Sequence, residues 1–195
     1  MTDADRPRRR YDSPVRRERA AATRDRIIGA GATLAHALPS WNWRDLTVAA
    51  VAREAGIDPR TVYRHFATER DLRDAVLERL VEEAGVAVED LTLDDFAAVT
   101  ARVYAHLDSF AVTPKAATDA TFQEVDQQRR DALVAAVEPL TEDWSEEDRA
   151  LAAAVLDVLW TVPTYERLRA AWGFDTAEAT RAATWTIAVL SEAIR

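Results

Sequence analysis

The stretch LTVAAVAREAGIDPRTVYRHFATERDL, Leu46 to Leu72, carries enough punctuation to decide its own local fold. Thr47 offers a hydroxyl to an orphan amide and so caps a short helix whose apolar positions Val48, Val51 and Ala52 share one face. Ala55 leads into Gly56, a residue that takes the left-handed conformation without steric cost, and the helix ends there. Asp58 then caps a second short helix with Pro59 at its first position, where a missing N–H is no loss. Two short helices joined by a glycine turn make a helix-turn-helix. Along the second helix Val62 and Phe66 lie four apart and can face a core, which leaves Arg60, Thr61, Tyr63, Arg64 and His65 on the other sides. That face is cationic and hydroxyl-bearing. Reading a major groove needs such a surface: Arg for guanine edges, Thr for a methyl or a phosphate, Tyr and His as phosphate donors.

On either side of this stretch the periodicity is helical, with no strand-like alternation among 5 glycines and 7 prolines. Residues 1–14 hold Arg6, Arg8, Arg9 and Arg10 and no apolar period, and read as a basic arm that either contacts DNA or is a solvated tail. Ile27, Ile28, Leu34, Ala35 and Leu38 mark a first helix from about Val15, stopped by Pro39. Downstream, Leu72, Val76 and Leu80 form the stripe of a helix from Glu69 to about Ala84, and Phe96, Val99, Val103, Leu107 and Phe110 that of the segment 91–112. Further helices are expected from about Lys115 to Val137, from Ser145 to Val162, over TYERLRAAW, and from Asp175 or Thr176 to the C-terminus. The expectation is an all-α chain of about nine helices. It divides into a basic arm (1–14), a helix-turn-helix DNA-binding domain (15–80) and a helical ligand-binding and dimerisation domain (81–195).

A net charge of −9 argues at first against a polyanionic partner. Resolved by position, residues 1–70 carry 14 Arg/Lys against 9 Asp/Glu and residues 71–195 carry 11 against 25, so a head of +5 is joined to a body of −14. Such a split lets only the head approach phosphates. The chain has no cysteine, which excludes disulfides, thiolate metal sites and Cys nucleophiles and fits a reducing compartment. No apolar run approaches the ~18 residues of a membrane span, and the N-terminus is charged where a secretion signal would be apolar. A cytoplasmic protein with no membrane contact is expected.

The quoted segment resembles the DNA-binding signature of the TetR family of one-component transcriptional regulators, in the helix opened by Thr47, the AREAG turn, the Tyr63, His65 and Phe66 triplet and Leu72 in the next helix. The resemblance covers about 60 residues, from about Thr23 to near Val81. It implies a homodimer whose recognition helices enter successive major grooves of a palindromic double-stranded DNA operator and which represses until a small-molecule effector binds the C-terminal domain. Residue by residue, it implies that Thr47 binds a phosphate, that Arg60 and Thr61 lie at the groove, that Tyr63 and His65 bond the DNA backbone, and that Arg64 is near either. Glu69 departs from the pattern, which usually has Lys there; Arg70 then inherits the phosphate contact or affinity is weakened. The segment LPSWNWRDL lacks the usual glycine, and its Trp41 and Trp43 are expected to pack against the first helix.

In the second half, LAAAVLDVLWTV (151–162) and AATWTIAVL (182–190) have no polar face, so one side needs a second chain. Val158, Val162, Trp185 and Val189 are the expected dimer contacts. Tyr104, His106, Phe122 and Trp160 are candidate pocket-lining groups, with ordinary core or surface positions as the alternative. Asp157 contacts a ligand, pairs across the dimer, or pairs with Arg167 or Arg169 of its own chain. An enzyme is not expected: the histidines at 36, 65 and 106 show no ligand spacing with carboxylates, and there is neither a phosphate loop nor a Ser/His/Asp arrangement. Neither a cofactor nor a metal is expected. The nearer rival is a dimeric DNA-binding regulator without an inducer, governed by a protein partner or constitutive. An apolar pocket of ligand size would favour the inducible form.

Overall fold

A computed structural model describes residues 14–87, 91–113 and 120–195. Regular structure among these residues is helical throughout: α1 (Pro14–Ala37), α2 (Val48–Ala55), α3 (Pro59–His65), α4 (Glu69–Glu83), α5 (Leu93–Asp108), α6 (Ala120–Val137), α7 (Glu146–Leu159), α8 (Val162–Trp172) and α9 (Thr176–Ile194), with 3-10 turns at Trp43–Asp45 and Glu138–Leu140. The fold is all-α, with the helix-turn-helix near its N-terminus. The arginines at 6, 8, 9 and 10 lie outside the described residues. The chain forms two compact units, Met1–Pro114 and Lys115–Arg195.

In the first unit α1 packs on α2 and α4, and α2 packs on α3. Ile27, Leu46, Val51, Val62, Leu72 and Val76 have essentially no exposed surface, and each contributes roughly 1.5–3 kcal/mol by leaving water. The α1/α4 approach is close enough that a Cβ at Gly31 would stand 2.4 Å from Val76 Cγ2. α4 opens with a reciprocal capping box, the Asp71 amide donating to Thr68 Oγ1 at 3.1 Å and the Thr68 amide to Asp71 Oδ2 at 2.9 Å. From its second turn Arg73 Nε donates to the Leu46 carbonyl at 3.1 Å, bracing α4 against the start of the helix-turn-helix.

One expectation for this unit changes, the end of the helix at 91–112. Trp43 packs against the core as expected, while Trp41 is half-exposed with its ring beside that of Phe110, centroids 5.2 Å apart. The helix at 91–112 ends at Asp108, because the Ala111 amide turns aside to donate to the His36 carbonyl at 2.8 Å, tying the end of α5 to the end of α1.

In the second unit α6 packs along α7, and α9 packs on α7 and α8. Thr141, fully buried, donates to the Val137 carbonyl at 3.0 Å and accepts from Arg149 Nε at 3.1 Å, fixing the α6–α7 corner. The helix expected from Ser145 to Val162 ends three residues short of Val162, and the next begins two residues before the expected TYERLRAAW. α7 stops at Leu159, Thr161 caps the Thr164 amide at 3.4 Å, and Pro163 sits in the first turn of α8 instead of ending a helix. A proline there removes an amide that has no intrahelical partner anyway, so it starts a helix as readily as it stops one.

Gly31→Ala is expected to lower unfolding stability by about 1–3 kcal/mol through overpacking against Val76. Gly29→Ala, where no atom lies within 4 Å of the added Cβ, is expected to raise it by up to about 1 kcal/mol. Urea unfolding of the two variants checks the contrast.

Candidate nucleic-acid interface

The helix-turn-helix is built by the expected punctuation. Thr47 Oγ1 accepts from the Ala50 amide at 3.2 Å, Gly56 closes α2 in the left-handed region at φ 63°, and Asp58 Oδ1 accepts from the Arg60 amide at 2.8 Å with Pro59 in the first turn of α3. The Thr47 hydroxyl is used as an acceptor in its cap, which leaves its O–H to donate outward. Val62 and Phe66 are buried together in the core. The Arg24 guanidinium lies over the Phe66 ring, 4.9 Å from its centroid, and pins α3 from the α1 side.

With those two positions sunk, α3 presents Arg60, Tyr63 and Arg64 to solvent and Thr61 half-exposed beside them. His65 differs from the expectation of an open face. It is half-buried and its Nε2 is out of reach of solvent with no hydrogen-bond partner. Burial lowers its pKa from the ordinary value, and the charges of Arg64 and then Arg24 push the same way.

Glu69 departs from the family pattern, and the structure shows what it does. Its Oε1 accepts from the Val48 amide at the start of α2, at 3.2 Å, and its Oε2 pairs with Arg73 Nη2 at 3.3 Å. A carboxylate at a helix N-terminus meets free amides and the positive end of the dipole, so Glu69 serves as a second cap for α2. The pairing with Arg73 is legible as an i,i+4 spacing on α4, whereas the reach to Val48 spans 21 residues and leaves no sequence signal. The neighbouring Arg70 is solvated, and its ion pair to Asp74, at 3.7 Å, is loose.

The other expected site residues are scattered. Tyr104 on α5 and Phe122 on α6 are exposed, and Trp160 lies exposed at the end of α7. His106 packs in the first unit, edge-on to Phe110 with ring centroids 5.2 Å apart. Asp157 pairs with Arg129 of α6, Nε to Oδ1 at 2.5 Å, rather than with Arg167 or Arg169; the same guanidinium reaches Asp126 at 3.0 Å. Arg129 stands across the α6/α7 seam from Asp157, and the hydrogen bond to Asp157 raises the guanidinium pKa further. A groove of about 620 Å³ in the second unit is lined by Trp144, Leu151, Val155, Leu190 and Ile194 together with Asp143, Ser145 and Asp148. Of the expected ligand residues, Asp157 alone borders a described cavity there, a smaller one of about 190 Å³ beside Arg130 and Val134.

The fold and this surface define a helix-turn-helix DNA-binding protein. Residues 42–76 match the family model described as bacterial regulatory proteins, tetR family, which indicates a DNA-binding transcriptional regulator. No curated protein and no solved structure matches it. No helix among the described residues is long and apolar enough to cross a membrane.

His65 also gives a pH dependence. With its folded pKa below the unfolded value near 6.5, the unfolded chain binds more protons, so its contribution to stability is present above about pH 6.5 and is lost as pH falls through the lowered folded value. His65→Gln is expected to flatten the fall in stability between about pH 6.5 and 5. Urea unfolding across that range measures it, and an unchanged slope contradicts the assignment.

Proposed function

We propose that the chain is a homodimeric repressor that binds a palindromic operator through α3 and is released by a small-molecule ligand held in its second unit. The observation that carries the reading is the division of α3, with Val62 and Phe66 buried and Arg60, Thr61, Tyr63 and Arg64 turned outward. In this reading Arg60, Thr61 and Arg64 face the major groove. Thr47, Tyr63 and His65 contact phosphates, and Arg70 supplies the cation that Glu69, committed to α2 and Arg73, does not. As a regulator of transcription it works in the cytoplasm.

The dimer is supported by the apolar surface of the second unit. Val158, Val162, Trp185 and Val189 are 60, 68, 69 and 51% exposed, and Val137, Ala153, Ala179 and Ile194 are the unit's buried apolar residues among those described. So little covered surface leaves the unit short of a core, which a two-fold partner seated on α7 to α9 supplies. The functional boundary at residues 80/81 belongs to the same reading, the head ending within α4 and the sensing and pairing part beginning beyond it.

The groove of about 620 Å³ supports the inducible form over an uninduced regulator, because its size is that of ligand pockets and its wall is mostly apolar with a few polar groups. Release is then a population shift. The ligand binds the off-operator spacing of the two α3 helices more tightly than the operator-bound spacing, with α4 carrying the change.

Sedimentation of the full chain tests the dimer: wild type is expected to sediment as twice 21.7 kDa, and Trp185→Glu as a monomer with folded helical content. A wild-type monomer at micromolar concentration contradicts the reading. On operator DNA, Tyr63→Phe is expected to cost about 0.5–1.5 kcal/mol, the net value of one hydrogen bond, evenly across operator variants. A loss confined to one base position contradicts a phosphate role.

A further inference from the structure

Within the first unit the last turns of α1, α4 and the C-terminal part of α5 bring His36, Glu83 and His106 together, one donor atom from each lying within 4.8 Å of the other two. We infer that these three side chains form a binding site for a divalent transition-metal ion of the zinc class.

The hydrogen bonds around the cluster set the protonation of His36. The single proton of the Ser109 hydroxyl is donated to the His106 carbonyl at 2.5 Å, so Ser109 Oγ, 3.3 Å from His36 Nδ1, is left to accept. His36 therefore carries its proton on Nδ1, and its Nε2 presents a lone pair. That lone pair faces Glu83 Oε2 at 3.6 Å, two acceptors with no proton between them. The third donor is unsatisfied as well, since His106 Nε2 is buried without a hydrogen-bond partner. With His106 in its Nδ1–H form its Nε2 is a third lone pair, and three such atoms within 4.8 Å of one another are an arrangement that a cation resolves. A proton shared by His36 and Glu83 relieves that pair and leaves His106 as it was, whereas a metal ion takes all three.

The supporting groups are of the kind metal sites use. Ser109 orients the ring of His36 through the nitrogen that does not ligate, and Arg79 Nε holds Glu83 Oε1 at 3.5 Å, so that Oε2 points at the histidines. Phe110 stacks on His36 with centroids 4.1 Å apart and walls one side. Two imidazoles and a carboxylate suit zinc, and also cobalt, nickel and copper, with a fourth position left for water. His36 and Glu83 keep 29% and 40% of their side-chain surface exposed, so an ion and its water can reach them. Ligation at about 2.0–2.1 Å draws the donor atoms to less than their present spread, which closes the ends of α1, α4 and α5 onto one another. Three helices supply one ligand each, which is why no sequence spacing announces the site.

The test is titration of the full, chelator-treated chain at pH 7.5 with Zn2+ alone by calorimetry and with Co2+ alone by visible d–d absorption. Binding of one ion per chain is expected, with a rise in thermal midpoint on adding Zn2+. His106→Gln and Glu83→Gln are each expected to weaken binding at least about tenfold, as loss of even an outer-shell partner does, and to abolish the d–d band. Glu83 is on the surface, so its variant keeps the test open should the His106 variant fail to fold. Absence of saturable binding by wild type overturns the proposal, as does binding of equal affinity in Glu83→Gln.

Discussion

A helix of seven residues makes two turns and has no stability of its own in water, so α3 holds a fixed orientation only because Val62 and Phe66 are anchored in the core formed by α1, α2 and α4. The rest of the first unit depends on that anchorage. Gly31 lets α1 and α4 approach closely enough to form its floor, Arg24 covers Phe66 from α1, and Arg73 and Glu69 of α4 hold the two ends of the segment that enters α2. The reading surface is thereby positioned by groups that do not belong to it. Arg60, Tyr63 and Arg64 are left in solvent because the other face of the same helix is fully committed.

The two halves of the chain differ in how their surfaces are used. The first has a dense core under a cationic helix. The second has few covered apolar side chains among those described, and large exposed ones on α7 to α9. An excess of acidic residues after position 70 discourages nonspecific contact between that half and phosphates, leaving the head as the surface that attracts DNA. Our reading joins these features, with pairing of the acidic halves presenting two basic heads at one spacing.

What could be read in the sequence was local. Thr47, Gly56, Asp58 and Pro59 each act within three residues of their position, and all four do in the structure what their chemistry suggests. The buried pair Val62 and Phe66 followed from helical spacing alone. Partners remote in the chain were not legible. Glu69 meets Val48, Arg129 meets Asp157, Trp41 meets Phe110, and His36 meets Glu83 and His106 through tertiary packing that no periodicity encodes. The break between α7 and α8 is legible only to within a few residues for a different reason: residues 151–162 are apolar almost throughout, and Pro163 is equally at home after a helix or in the first turn of one. Helical angle places His65 in the open, whereas tertiary packing leaves it half-covered.

The claim that two copies of α3 read DNA as a pair is tested most directly by selecting duplexes bound by the full chain from a random-sequence pool and sequencing them. The account expects enrichment of an inverted repeat whose half-sites lie about one helical turn or a little more apart, centre to centre. Enrichment of a single unrepeated half-site, or no enrichment over the starting pool, would contradict it.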